Sequence, residues 1–199
     1  MSDDGPVFPA TPPERIELPG DRALTRCRAD RAADTVAAVD ASLEHLRHWM
    51  TWAAEPATEA GMAAFLATGE ELWDQRRDFS FHVVEAPGDR IIGGCGLHGR
   101  IGPHGLEIGY WVHVDRIGRG IATDLARALT HAAFAIEGIE RVRIQCEDVN
   151  VRSARVPEKL GYEYLGVSVP EDGPCANRPT QRWEIARSAW MAAAEPERP

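Results

Sequence analysis

The chain has 199 residues, 44% of them hydrophobic, and a net charge of −9, which fits one globular domain with a full core better than two domains. No run approaches the ~18 apolar residues of a membrane span, Met1, Ser2, Asp3 and Asp4 lack the basic start of a secretory signal, and the acidic balance argues against nucleic acid, whose phosphates need a basic face. A cytoplasmic protein with neither a membrane nor a nucleic-acid partner is expected, one whose surplus carboxylates suit either a cationic substrate or simple solubility.

Residues 1–13 are rich in proline and acids without periodicity and read as a flexible N-terminal arm. Residues 14–18 and 23–28 flank Pro19, Gly20 and Asp21 as a first hairpin. Asp30 is placed to cap a helix whose apolar positions Ala33, Val36, Ala37, Val39, Leu43 and Leu46 recur at helical spacing and lead into HLRHWMTWA, residues 45–53. His45 and His48 lie one turn apart, but without a third ligand they read as solvated or packed histidines. After Pro56 a helix is expected over about 58–75, with Gly69 as the point where it could break. Residues 79–86 and 90–97 flank Pro87, Gly88 and Asp89 as a second hairpin, and the glycines of IIGGCGLHG suggest a bulge or a close approach. Cys27, Cys95, Cys146 and Cys175 are scattered without paired spacing, against both a disulfide framework and a zinc cluster.

The stretch 107–162 carries the strongest pattern. A strand over 108–114 meets Gly118 and Gly120; a helix follows whose apolar residues Leu125, Ala126, Leu129, Ala132, Ala133 and Ile136 share one face; Gly138 ends it, and 141–147 alternates as another strand. Strand, glycine turn, helix, strand is a right-handed crossover whose helix start aims free main-chain N–H groups, here from Arg119 to Thr123, at the turn. Such a start is an anion site suited to a pyrophosphate, although Gly118-Arg119-Gly120-Ile121-Ala122 alone reads more often as a tight turn. Downstream, Asn150 and Ser153 fall on one face of a helix ending at Gly161, with Pro157 inside it, so a kink or a late start is expected. Strands over 162–169 and 180–186 and a polar C-terminal tail over 189–199 complete a single domain of 14–188, without repeats.

Two linked motifs, the loop 118–122 and Asn150-Val151-Arg152-Ser153 with Glu158-Lys159-Leu160-Gly161-Tyr162, resemble the GNAT superfamily of acyl-coenzyme A dependent N-acetyltransferases, in its RimJ/RimL branch. The resemblance implies an α/β (α+β mixed) fold: a central mixed, mostly antiparallel sheet of about six or seven strands with helices on both faces. It also implies acetyl-coenzyme A as the acyl donor, bound by Val112, His113, Val114, Ile117, Gly118, Arg119, Gly120, Ile121, Ala122 and Thr123, with Asn150 on the pantetheine arm and Ser153 protonating the leaving thiolate. Glu107 corresponds to the family's general base, Trp49 and Trp52 to its acceptor-side lining, and an N–H near Trp111 to His113 to its oxyanion donor. The implied acceptor is an amine-bearing small molecule or a protein N-terminus, and family members are often homodimers.

Each residue also has a plainer reading. Glu107 fits an exposed strand end, Asn150 a helix N-cap, Trp49 and Trp52 core or lid packing, and His113 a structural histidine. The family's loop carries Gln or Arg where this chain has Ile117, which removes a side-chain contact to the pyrophosphate that Arg116 or Arg119 could replace. Ile117 and Pro157 favour a second reading, a non-catalytic acyl-coenzyme A sensor. A P-loop hydrolase is excluded because no Lys-Ser or Lys-Thr follows the glycines.

Overall fold

The computed structural model describes residues 5–194. Eight strands, β1 (Arg15–Leu18), β2 (Arg22–Arg26), β3 (Asp78–Glu85), β4 (Arg90–His98), β5 (Gly105–Val112), β6 (Arg141–Glu147), β7 (Glu163–Ser168) and β8 (Thr180–Ala186), form one sheet in the order β1-β2-β3-β4-β5-β6-β8-β7. All pairs are antiparallel except β5 with β6. The sheet has the mixed, mostly antiparallel character expected, with slightly more strands.

The single parallel pair follows from chain economy: a parallel return needs a crossover, and the 15-residue helix α4 (Ile121–Ala135) supplies it. Its buried side, Leu125, Ala126, Leu129, Ala132 and Ala133, packs on Phe81, Leu97, Leu106, Ile108, Val142 and Ile144 to make the main core. The opposite sheet face is covered by α1 (Ala32–Asp40), whose Ala38 meets Ala23, Val84 and Ile91. Helix α3 (Glu59–Asp74) sets Leu66 against Cys27 and Ala32. Thr58 caps α3, its hydroxyl accepting from the Gly61 N–H at 3.1 Å, and Gly69 does not break it.

Four expectations change. The helix expected from Asp30 through Leu46 is three pieces: a 3-10 turn over Ala29–Arg31, then α1, then α2 (Leu43–Leu46), and Asp30 caps none of them. Pro157 neither delays nor shortens its helix, α5 (Val151–Lys159). The N-terminal arm is docked where it is described, because Phe8 is buried against Phe79 at 6.0 Å between ring centroids and its N–H donates to the Arg76 carbonyl; residues 1–4 lie outside the described residues. Residues 187–194 are helical, α6 (Arg187–Ala194), and Trp190 joins the core, so the segment from 189 to 194 is part of the domain; the rest of the expected tail lies outside the described residues.

Because a buried Phe cut to Ala costs about 3–5 kcal/mol, Phe8→Ala is expected to lower the unfolding free energy measured in urea by about that much. A change under ~0.5 kcal/mol, the size of a surface substitution, would restore the loose arm.

Candidate active site

Strands β5 and β6 pair only over Gly105–Ile108 and Arg141–Ile144. Beyond that rung both continue with other partners, β5 on β4 as far as Val112 and β6 on β8 as far as Glu147. The sheet therefore forks at Gly109, and the β5 main chain facing the fork is unpaired. The His113 N–H donates to the Ile92 carbonyl at 2.9 Å, and in an antiparallel pair the bonding direction alternates, so the Tyr110 and Val112 N–H groups point into the fork. Of the stretch Trp111 to His113 expected to hold the oxyanion donor, Val112 has the N–H with the right direction.

Three elements border the fork. The start of α4 sits at its mouth, with Gly118 and Gly120 at φ 76° and 80°, a left-handed conformation that other residues adopt at a cost. The Thr123 and Asp124 N–H groups close on the Gly120 carbonyl at 2.9 and 3.0 Å. No acceptor among the described residues takes those of Gly120, Ile121 or Ala122, so the free donors are fewer than expected and exclude Thr123. Arg116 forks onto Glu85 at 3.0 and 3.1 Å, whereas Arg119 is exposed and makes no ion pair among the described residues. Arg119 is thus the cation available where Ile117 supplies none. His113 and Val114 are committed to structure: the His113 Nδ1 accepts from the Asp115 N–H at 3.2 Å, and the Val114 N–H donates to Ser42 Oγ at 3.1 Å.

The second border is α5. Asn150 is its N-cap, its side-chain oxygen accepting from the Ser153 N–H at 3.1 Å. The Ser153 hydroxyl lies 2.9 Å from the Tyr110 hydroxyl across the fork. Pro157, four residues on, removes the N–H that would have bonded the Ser153 carbonyl, and the Tyr110 hydroxyl reaches that carbonyl at 3.3 Å. Burial holds the Tyr110 phenol far above its ordinary range, so it stays a proton donor at neutral pH. Burial likewise pushes the neighbouring Cys146 thiol up to about 11 against a hydrogen bond from Ser153, and a thiol kept neutral is a poor competing nucleophile. Sequence reasoning missed Tyr110; the signal available was its place on β5, one residue past the fork at Gly109.

The third border is the opposite face. Glu107 is buried at 4% exposure, not at an exposed strand end. Its oxygens are occupied, one by Arg100 Nη1 at 3.1 Å and the other by Gln145 Nε2 at 2.5 Å. Farther along β5 on this face stands Trp111, and Trp52, 52% exposed, meets it edge-on at 6.4 Å. Trp52 is therefore no core residue; Trp49 is half-buried. The His45 imidazole of α2 is held below its ordinary range by burial and by the charge of Arg152 on α5. Among the described residues no group of three or more His, Cys, Asp or Glu side chains could hold a metal ion.

A forked sheet with unpaired amides beside a glycine-led helix start, and a hydroxyl pair bridging the fork, defines an acyl-coenzyme A transferase architecture. The Acetyltransferase (GNAT) domain family matches residues 23–163, and the chain belongs to that family, whose acyl donor is acetyl-coenzyme A. Over 84 residues it is 30% identical to the uncharacterized N-acetyltransferase YjdG of Bacillus subtilis, 42% of this chain and 50% of that one. Over 80 residues it is 28% identical to an aminoglycoside N(6')-acetyltransferase type 1 of Klebsiella pneumoniae, 40% of each chain. The chain spans about half the length of the curated relatives it matches. Its fold is shared with RimL, the ribosomal L7/L12 alpha-N-protein acetyltransferase solved with coenzyme A, at TM-score 0.77, 17% identity and coverage of 88% of this chain and 99% of that one. It is shared too with Mycobacterium smegmatis RimJ, at TM-score 0.75, 20% identity and coverage of 92% and 90%. Among the described residues no helix is long and apolar enough to cross a membrane.

A Cβ at Gly120 would meet nothing within 4 Å, so a side chain there projects into the open space in front of α4. Gly120→Val is expected to abolish acetyl-coenzyme A binding by calorimetry while circular dichroism shows a folded protein. Unchanged affinity in the folded variant would place the phosphates elsewhere.

Proposed function

We propose that the protein is an N-acetyltransferase that moves the acetyl group of acetyl-coenzyme A to a primary amine, on a protein N-terminus or a small molecule, by direct attack. The observation that carries the reading is the hydroxyl pair Tyr110–Ser153 set across a fork whose mouth holds the unpaired N–H groups of Gly120, Ile121 and Ala122. The printed names of the relatives agree with either acceptor class, a ribosomal protein's N-terminus or an aminoglycoside amine, each said of that relative.

The donor's pyrophosphate would lie on the start of α4 with Arg119 beside it, and its pantetheine arm along the fork, where the Asn150 side-chain amide is left free to donate. In the transfer, the amine nitrogen bonds the acetyl carbon and the carbon–sulfur bond breaks. The Val112 N–H faces the charge that develops on the carbonyl oxygen. The departing thiolate takes a proton from Ser153 Oγ, the hydroxyl is restored by the proton the amine gives up, relayed through solvent, and the Tyr110 hydroxyl keeps its own proton and holds Ser153 in place.

Glu107 supplies the acceptor side with a negative charge fixed by Arg100 and Gln145, one that attracts the ammonium form of the substrate. The same two bonds leave neither carboxylate oxygen free for the amine proton that the general-base expectation assigned to it. Trp52 and Trp111 frame the acceptor's approach. A cytoplasmic setting would supply both acetyl-coenzyme A and such amines.

Incubation with acetyl-coenzyme A and a panel of amines and N-terminal peptides, read by mass shift and by release of free thiol, tests the reading. Thiol release with no acceptor in the panel would leave only slow hydrolysis, and tight binding without any thiol release would establish the sensor reading instead. Ser153→Ala is expected to lower turnover 10²- to 10⁴-fold, the usual contribution of a positioned acid, with the dissociation constant for acetyl-coenzyme A nearly unchanged. A loss of under about threefold, well short of acid catalysis, would remove Ser153 from the chemistry. Trp52→Ala is expected to raise the Michaelis constant for the amine with little change in stability, since the ring is half exposed; lost stability with unchanged kinetics would make it a packing residue.

A further inference from the structure

Side-chain alternation along β3, β4 and β5 collects a second set of groups on the Glu107 face. Asp78 pairs with His98 across β3 and β4, and His98 pairs with Glu107 across β4 and β5, so the three side chains occupy one transverse row. The next rung toward the fork pairs Gly96 with Gly109, and the one after it Gly94 with Trp111.

The glycines leave room that the imidazole uses. A Cβ at Gly96 would lie 2.7 Å from His98 Cε1 and 2.9 Å from Nε2, and one at Gly109 would lie 3.2 Å from Nε2. The ring thus leans over the Gly96–Gly109 rung with its Nε2 edge leading, next to the residue at which β6 leaves β5. Its far nitrogen is held: His98 Nδ1 stands 2.7 Å from Asp78 Oδ2, and Asp78 Oδ1 accepts from the Ser80 hydroxyl at 3.3 Å. An ionised carboxylate only accepts, so Nδ1 carries the hydrogen and the neutral ring keeps a lone pair on Nε2. No partner for Nε2 is found among the described residues. The His98 side chain is 16% exposed, which leaves it reachable from the fork.

On the acetyltransferase reading above, we propose that His98 is the general base that takes the proton from the attacking amine, with Asp78 as the positioning residue that fixes its tautomer. The nitrogen–hydrogen bond of the amine breaks as its carbon–nitrogen bond to the acetyl carbon forms, and the proton passes to Nε2, directly or through one water. The protonated ring then stands between two carboxylates, Asp78 from β3 and Glu107 from β5, the latter already shared with Arg100 of the β4–β5 turn. Arg31 of the 3-10 turn and Asp34 of α1 lie with Arg90 and His113 at the other end of this face. Glu107 has both oxygens engaged, whereas His98 has a nitrogen without a partner beside the fork, and that difference decides between the two candidates.

The test compares wild type, His98→Gln, His98→Ala, Asp78→Asn and Glu107→Gln with acetyl-coenzyme A and the amine and peptide panel, alongside calorimetry with acetyl-coenzyme A. His98→Gln is expected to lose 10²-fold or more in kcat, within the range for a positioned base, while keeping its affinity for acetyl-coenzyme A, and to lose the acid limb of the kcat/KM profile. Added imidazole is expected to restore part of the turnover of His98→Ala, a rescue that a merely structural histidine would not show. Asp78→Asn can turn its amide rather than an oxygen toward Nδ1 and so loosens the tautomer, and it is expected to lower kcat by less than His98→Gln with the Michaelis constant for the amine unchanged, whereas a merely structural Asp78 would lower stability and leave kcat alone. His98→Gln within about threefold of an active wild type, with its acid limb intact, overturns His98 as the base and leaves the acetyltransferase reading standing. If His98→Gln proves unfolded, a folded His98→Ala that imidazole fails to rescue overturns the proposal. Wild type that neither binds acetyl-coenzyme A nor releases thiol overturns both.

Discussion

The parting of β5 from β6 after Ile108 and Ile144 is the constraint on which the site depends. Two parallel strands could have zipped to their ends, since main-chain pairing is favourable and an unpaired buried N–H or C=O costs about 1–3 kcal/mol. Each strand is instead claimed on its outer side, β5 by β4 to Val112 and β6 by β8 to Glu147, and the two diverging pairs hold the gap open. Main-chain groups left facing a gap are a standing demand for a partner. On the transferase reading proposed above, an extended amide-bearing arm of the donor would meet that demand as a strand does, and the neighbouring helix start would meet its phosphates.

The two faces of the sheet at the fork have different electrical characters, and this assigns them different work. Tyr110 and Ser153 lie on the α4 and α5 side among apolar groups, where burial keeps hydroxyls and thiols protonated. That is the side from which a leaving thiolate can be met by a proton. The other side carries a row running Asp78, His98, Glu107, Arg143 and Glu184 across five strands, with Arg143 bound to Glu184 at 2.8 Å. Its carboxylates favour a cationic amine and whatever proton that amine gives up. The chain's net charge of −9 allowed a cationic substrate without locating it, because a global charge is silent about which face holds the surplus.

Much of this was legible in the sequence, for identifiable reasons. The helix of 121–135 and the strand of 141–147 are elements whose periodicity is long and unbroken, and the glycines before the helix are required by backbone angles that only glycine adopts cheaply. Asn150 combined the N-cap preference and a spacing to Ser153 in one short motif. What escaped reading was what depends on register. Whether Glu107 sits exposed or buried, and which of Tyr110, His98 and Asp78 it neighbours, is decided by which residues pair across strands, and a slip of one residue would turn every one of them to the other face. The arm and the C-terminal helix escaped for a different cause: Phe8 and Trp190 are single anchors in otherwise polar or irregular segments, too sparse to make a period.

Pro157 joins fold to chemistry in a way neither level shows alone. A proline inside α5 ordinarily costs the helix about 3 kcal/mol or more, through the lost bond to the carbonyl four residues earlier and the clash of the ring with it, and here that carbonyl belongs to Ser153. The Tyr110 hydroxyl offers the replacement bond from β5, so the cost is partly offset by a contact that also spans the fork. The same hydroxyl lies against Ser153 Oγ, which ties the position of the Ser153 hydroxyl to the width of the gap. A helix without the proline would satisfy its own carbonyl and leave Tyr110 one tie fewer to α5. The feature that reads in sequence as a defect, and as a reason to doubt turnover, thus accounts for one of the two bonds that tie Tyr110 to Ser153.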